Sequence, residues 1–148
     1  MRLVIQRVKE ASVTVGNAIT GQIGPGLLVL AGCAPTDDEA ALGWLARKLV
    51  ALRIFSDENG QMNRSVRDVG GQVLVVSQFT LLADARKGNR PSYVGAAPPA
   101  VAEPLYQRFV QLVAQELGQP VPTGIFGADM QVRLLNDGPV TIVLDSPA

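Results

Sequence analysis

Val73-Leu74-Val75-Val76-Ser77-Gln78-Phe79-Thr80-Leu81-Leu82 is the stretch on which the fold of this chain turns. Its first half is an unbroken, mostly β-branched run, the composition of a strand buried on both faces. Such a strand normally ends in solvent-facing turn residues. This one runs into Ser77, Gln78 and Thr80, interleaved with Phe79 and Leu81. Polar groups at the end of a buried strand must find partners or cost free energy. Either they bond to neighbouring backbone, or the strand end aims hydroxyl, amide and backbone N–H groups into a pocket.

Immediately C-terminal, Asp84-Ala85-Arg86-Lys87-Gly88-Asn89-Arg90-Pro91-Ser92 places three cations within five residues, in a chain of zero formal net charge. Beside a polar strand end, such a loop suits a phosphate-bearing ligand; alone, it reads as a solvated surface loop. N-terminal to the central stretch, residues 1–8 predict a first strand and Ala11 to Val15 a second, alternating one. Gly16-Asn17 offers a two-residue hairpin turn, Ala18 to Ile23 the returning strand, and Leu27 to Ala31 a buried strand after the Gly24-Pro25-Gly26 break. Thr36-Asp37-Asp38-Glu39 reads as a helix start, with Thr36 as cap and Glu39 reaching back to it. Leu42, Leu45, Leu49 and Leu52 follow at helical spacing. Arg53-Ile54-Phe55 predicts a short strand, Asp57 to Gly60 a turn, and Met62 to Val69 an irregular or weakly extended segment.

Pro98, Pro99 and Pro104 bracket the start of a second helix running to about Leu117. Proline is tolerated best in a first turn, which delays the expected start to about Ala102. Leu105, Phe109, Leu112 and Val113 share one face; Tyr106, Gln107, Arg108 and Gln111 fall elsewhere. Gly118 is a natural C-terminal cap. The Gly-rich loop Pro122 to Asp129 carries Ile125 and Phe126, apolar residues suited to docking on a core or a partner chain. Met130 to Leu135 and Val140 to Leu144 read as strands joined by a hairpin corner at Asn136-Asp137-Gly138-Pro139. A Gly-Pro bond adopts the cis form at modest cost. The corner is therefore either a tight turn capped by proline or a rigid feature presenting carbonyl oxygens to a ligand. The order of elements predicts an α+β fold: one domain over residues 1–148, with a curved, largely antiparallel β-sheet covered by two main helices.

Composition narrows the function. With 47% apolar and 18% charged residues the chain is globular, not disordered. No apolar run reaches the roughly 18 residues of a membrane span. The single cysteine, Cys33, forms no internal disulfide and fits a reducing cytoplasm. Zero net charge opposes sequence-blind binding along a nucleic-acid backbone and leaves room for contact with one nucleic-acid end. There is no histidine, which removes Ser–His–Asp and Cys–His arrangements, the usual zinc catalytic sites and the commonest general base. A lone cysteine without a histidine partner reads as a small buried hydrophobe. An enzyme of this composition works by positioning, by backbone dipoles or by a group on its substrate. No cofactor and no metal ion is expected.

Ser77-Gln78-Phe79-Thr80 and Asn136-Asp137-Gly138-Pro139-Val140-Thr141 together resemble the two signature motifs of the D-aminoacyl-tRNA deacylase family, also called D-tyrosyl-tRNA deacylases. Gln6-Arg7-Val8, Leu52-Arg53-Ile54-Phe55, Lys87-Gly88-Asn89-Arg90-Pro91-Ser92 and Phe126-Gly127-Ala128-Asp129-Met130 extend the likeness over nearly the whole chain. Leu82 and Tyr93 stand where many relatives carry an aromatic residue and Phe. The resemblance implies a cytoplasmic homodimer built on sheet contacts, barrel-like in the dimer. It implies hydrolysis of the ester between a D-amino acid, or glycine, and the tRNA 3′ end. On that analogy Ser77, Gln78, Phe79 and Thr80 wall the site, the N–H groups of Phe79 and Thr80 stabilise the oxyanion, and Lys87 and Arg90 contact the tRNA. Gly138 and Pro139, joined by a cis bond, would enter the partner's site and exclude L side chains, with Arg7 as a candidate anchor. The terminal ribose hydroxyl would help activate water. Three other readings stay open: Thr80 as a nucleophile, a non-catalytic module binding the tRNA 3′ end, and a purely structural β-rich dimer.

Overall fold

The computed structural model describes residues 1–147. In chain order the elements are β1 (Arg2–Val15), β2 (Ala18–Ile23), β3 (Gly26–Gly32), α1 (Glu39–Ala51), β4 (Phe55–Ser56), β5 (Met62–Arg64), β6 (Gln72–Ser77), a 3₁₀ turn (Phe79–Leu82), α2 (Pro99–Leu117) and β7 (Gln131–Asp145). The class is α+β, with a strongly curled sheet.

The two N-terminal segments are one strand. On one edge of β1, Arg2 to Val8 pair with β3 and Ala11 to Val15 with β2; on the other edge, β7 pairs along nearly the whole length. β6 joins β3 in parallel, Gly26 facing Gln72 and Ala31 facing Ser77. A parallel neighbour needs a long crossover, and α1 with the small β4–β5 ribbon supplies it. The β3–β6 approach is close at its start: a Cβ on Gly26 would lie 1.9 Å from the Gln72 carbonyl oxygen.

Alternation along β6 makes the central stretch buried on both faces, as its composition predicts. Val73 and Val75 join Leu3, Ile5, Leu27 and Val29 against Leu42, Leu45 and Leu49 of α1 and Phe109 and Val113 of α2. Leu74 and Val76 point the other way, into a second cluster with Val13, Ile23 and Leu28 inside the curl, where Met130, Val132 and Leu134 of the β7 region close it. These two apolar layers fix the position of the strand end at Ser77.

Several local expectations give way. Asp38, not Thr36, caps α1, accepting from the Ala41 N–H at 2.8 Å. Thr36 lies in a turn held by Asp37, whose carboxylate takes the Ala34 N–H at 2.8 Å and the Met1 ammonium. α2 starts at Pro99, ahead of Ala102, because Val101 and Ala102 both donate to the Pro98 carbonyl, at 2.9 and 2.8 Å. Pro104 sits inside the helix on its exposed face. Tyr106 faces inward: its ring is buried and its hydroxyl donates to the Val75 carbonyl at 3.1 Å, the partner a buried phenol needs. Gly118, at φ 80°, closes α2 as expected, its N–H bonded to Ala114. The β4 strand begins only at Phe55, because the Ile54 carbonyl is taken by Arg7, not by a strand partner.

The largest correction concerns Asn136 to Thr141. No hairpin forms there. β7 is one strand of 15 residues, and both its halves pair with β1, Asn136 with Val8 and Thr141 with Gln6. Asp137 to Val140 therefore spill out as a bulge opposite Arg7 alone.

Cys33 is 4% exposed, and burial, followed by the charge of Asp37, pushes its thiol up to about 11. Native protein at pH 8 should leave Ellman's reagent unreduced over minutes and react fully once unfolded in guanidinium. Fast labelling of the folded chain would contradict this placement.

Candidate active site

The chain leaves β6 with the Gln78 N–H bonded to Ala31 at 2.8 Å and winds at once into the 3₁₀ turn. The Leu81 and Ala83 N–H groups bond back to Gln78 and Thr80, at 3.2 and 3.1 Å. N–H groups at the start of such a turn, here those of Phe79 and Thr80, have no acceptor within it. Ser77, Gln78 and Phe79 form one wall of a cleft of about 420 Å³. Ala97, just ahead of α2, and Pro99 and Ala102 in its first turn line a second side, and the segment Phe126 to Met130, with Val132, forms the remaining wall. Asp129 is the one formal charge in that lining. Gln78 Nε2 donates to Thr80 Oγ1, so Thr80 is tied to the wall while its own side chain stays exposed and outside the lining.

Arg90 and Lys87 lie on a loop pinched at its base by reciprocal Asp84–Ser92 backbone bonds of 2.7 and 2.8 Å. Arg86 is drawn back onto Asp84 at 2.7 Å, which also holds that carboxylate below its ordinary range. Both Lys87 and Arg90 are exposed. Phe79, the outermost wall residue, meets Tyr93 edge to face, ring centroids 5.1 Å apart.

Gly138, Pro139 and Arg7 are elsewhere. The Gly138–Pro139 bond is cis, and Gly138 has φ +132°, a region L residues avoid. Arg7 Nε donates to the Asp137 carbonyl at 3.0 Å and Arg7 Nη1 to the Ile54 carbonyl at 2.8 Å. The Asp137 carboxylate lies 3.6 Å from Nε. Met130, just ahead of β7, and Val132 within it line the cleft. Neither Gly138 nor Pro139 lines the cleft that Ser77, Gln78 and Phe79 wall.

Sequence reasoning missed two parts of the cleft. The α2 wall was hidden by the expected late start of the helix. The Phe126 to Val132 wall was signalled by two apolar residues in a Gly-rich loop and by the resemblance of Phe126 to Met130, neither of which placed it at the cleft; Phe126 does dock inward, its ring 5.8 Å from that of Tyr106.

A family model described as D-Tyr-tRNA(Tyr) deacylase matches residues 4–145. The chain belongs to this family. Its similarity to individual deacylases is high throughout. The D-aminoacyl-tRNA deacylase of Chlorobaculum parvum is 62% identical over 147 residues, covering 99% of each chain. That of Opitutus terrae is 60% identical over 148 residues, covering 100% of this chain and 99% of the other. A solved structure described as c-Myc DNA Unwinding Element Binding Protein matches with a TM-score of 0.92 and 44% identity over the full length of both chains. A probable eukaryotic D-amino acid tRNA deacylase, 19% identical, shares the fold at a TM-score of 0.81 over 97% of each chain. As a deacylase the chain is an enzyme, a hydrolase acting on the ester bond of aminoacyl-tRNA, which sets aside the reading as a purely binding module. Among the described residues, no helix of this deacylase is long and apolar enough to cross a membrane.

Proposed function

We propose that this chain, a single catalytic domain working in the cytoplasm, frees tRNA of D-amino acids and of glycine and refuses L-amino acids. Each cleft is completed by Gly138 and Pro139 of a second copy. The observation carrying this reading is that Gly138 and Pro139 lie outside the lining of their own chain's cleft. Gly138 and Pro139 are exposed, on a strand whose only strand partner among the described residues is β1, on one edge. Leu135 and Val143 on the same strand are 51% and 61% exposed. A long open edge with apolar side chains is a pairing surface, and a second copy laid against it would carry the bulge toward another cleft.

In that arrangement the aminoacyl group enters between Phe79 and the Phe126 to Met130 wall. Its carbonyl oxygen lies against the Phe79 and Thr80 N–H groups, which stabilise the negative charge that develops as water attacks. The tetrahedral intermediate collapses with release of the 3′-oxygen, yielding free amino acid and tRNA. With no histidine in the chain, the neighbouring 2′-hydroxyl of the terminal ribose helps to activate the water. Thr80 positions Gln78 and does not itself attack the ester carbonyl. A threonine hydroxyl needs a base to act as a nucleophile, and its only side-chain partner among the described residues is an amide. Lys87 and Arg90 receive the phosphates of the 3′ end.

Stereochemistry follows from main-chain atoms. The Gly138 and Pro139 carbonyl oxygens, held by Arg7 through the bulge, stand where an L side chain would project. Glycine has no side chain to refuse, and a D side chain points away. Incubation with D-tyrosyl-tRNA and L-tyrosyl-tRNA tests the function: tyrosine should leave the D substrate alone, and equal rates or no release from either would refute the proposal.

A further inference from the structure

The segment Leu52-Arg53-Ile54-Phe55 supplies no lining to the cleft, yet it is tied to the bulge that carries Gly138 and Pro139. The Ile54 carbonyl accepts from Arg7 Nη1 at 2.8 Å, and the same guanidinium donates through Nε to the Asp137 carbonyl at 3.0 Å. The Arg7 side chain is only 13% exposed. It is a clamp closed on two distant parts of the chain, and the position of one jaw depends on the other.

The β4–β5 ribbon fixes the Ile54 carbonyl. That carbonyl is outside the ladder, which begins with Phe55 facing Arg64, so its direction is set by the residues on either side of it. Phe55 is held by its pairing with β5. Arg53 reaches across to Asn63, Nε to the backbone carbonyl and Nη2 to Oδ1, both at 3.0 Å. Asn63 Nδ2 donates to the Asp57 carboxylate at 2.9 Å, and the Asn63 backbone N–H bonds to the Gln61 carbonyl at 2.9 Å. Asp57 in turn accepts from the Asn59 and Gln61 N–H groups, at 2.8 and 3.0 Å. Every polar group of Asn63 is thus taken by protein, although the residue is exposed, where a side-chain amide ordinarily turns to water. Burial of the Ile54 side chain sets the depth of this peptide; the hydrogen bonds around Asn63 set its direction. Resting on the function proposed above, we infer that Asn63, held between Arg53 and Asp57, is a positioning residue for enantiomer selectivity. It fixes the Ile54 carbonyl, through that Arg7, and so the Gly138 and Pro139 carbonyl oxygens that refuse an L side chain. None of Arg53, Asp57 and Asn63 lines the cleft, so loosening this brace acts on selectivity and spares ester hydrolysis.

Asn63→Asp keeps an acceptor for Arg53 but sets a second carboxylate against Asp57, and like charges in contact repel. Adding Asp57→Asn exchanges donor and acceptor and restores the bond. With D- and L-tyrosyl-tRNA, Asn63→Asp should lower the D-over-L ratio of kcat/KM about tenfold, through faster release from the L substrate, with the D substrate within about twofold of wild type. The double variant should bring the ratio back to within about twofold of wild type, the signature of two residues acting on each other. A second readout needs no activity. The Arg7 Nε–H signal in an NMR spectrum, assigned by its loss in Arg7→Lys, should shift and exchange faster with solvent in Asn63→Asp and return in the double variant. If wild type discriminates and Asn63→Asp discriminates equally, the inference is overturned and the function stands; a loss of stability in guanidinium with the ratio unchanged is the mark of a structural role alone. If wild type releases tyrosine from both enantiomers equally, or from neither, the function falls. The Arg7 signal then decides the brace by itself, and no response to Asn63→Asp overturns that too.

Discussion

Gly138→Ala should reduce the ratio of kcat/KM for D-tyrosyl-tRNA over L-tyrosyl-tRNA by at least tenfold, chiefly through a gain of activity on the L substrate. An alanine at φ +132° is in a region that costs an L residue about 1–3 kcal/mol. Its Cβ would also lie 2.9 Å from the Val140 Cγ2, 3.0 Å from the Arg7 Nη2 and 3.0 Å from the Val140 nitrogen. The backbone must therefore shift, and Arg7, which fastens the Asp137 carbonyl to that of Ile54, is one of the groups pushed. A refusal set by the position of carbonyl oxygens falls steeply when those oxygens move by a few tenths of an ångström. Enantiomer-resolved kinetics on a variant whose circular dichroism and sedimentation match wild type would check this. An unchanged ratio would remove the bulge from the account of selectivity.

The second large effect separates enzyme from substrate as the source of the activating group. Replacing the terminal ribose of the substrate by 2′-deoxyribose, with the amino acid on the 3′-oxygen, should slow single-turnover hydrolysis by about 10²–10⁴, the usual worth of a general acid–base group. Thr80→Ala should cost less than about tenfold, because Thr80 acts through Gln78 and lies outside the cleft lining. A covalent nucleophile behaves in the opposite way: its removal costs about 10⁴ or more, and the ribose hydroxyl becomes dispensable. Rapid-quench measurements on the two perturbations side by side distinguish the mechanisms even if both rates fall.

Local pattern carried much of this fold. The β-branched run of β6 announced a strand buried on both faces, and Leu42, Leu45 and Leu49 announced the inner stripe of α1; each is a short-range periodicity. What stayed hidden depended on partners distant in sequence. Asn136 to Pro139 has the composition of a hairpin corner, and only a β1 long enough to pair with both sides turns it into a bulge. Tyr106 carries a polar tip that sequence alone places outside; the carbonyl of Val75 that receives it lies 31 residues away. Thr36 lost the capping role because the helix begins only at Glu39, where Asp38 takes the Ala41 N–H. The site shows the same division. Ser77 and Gln78 were legible as polar groups at a buried strand end, with Phe79 interleaved, whereas Phe126 to Val132 reach the cleft only through the curl of the sheet.

Refusal by fixed backbone atoms is tested most directly with the smallest pair of enantiomers, D-alanyl-tRNA and L-alanyl-tRNA, with glycyl-tRNA alongside. A pocket that selects by attraction gains only about 10–200-fold from one methyl group. The account predicts hydrolysis of D-alanyl- and glycyl-tRNA within about tenfold of each other, and of L-alanyl-tRNA more than about 10³-fold slower, beyond that attractive limit. Comparable kcat/KM values for the two alanyl enantiomers would contradict it.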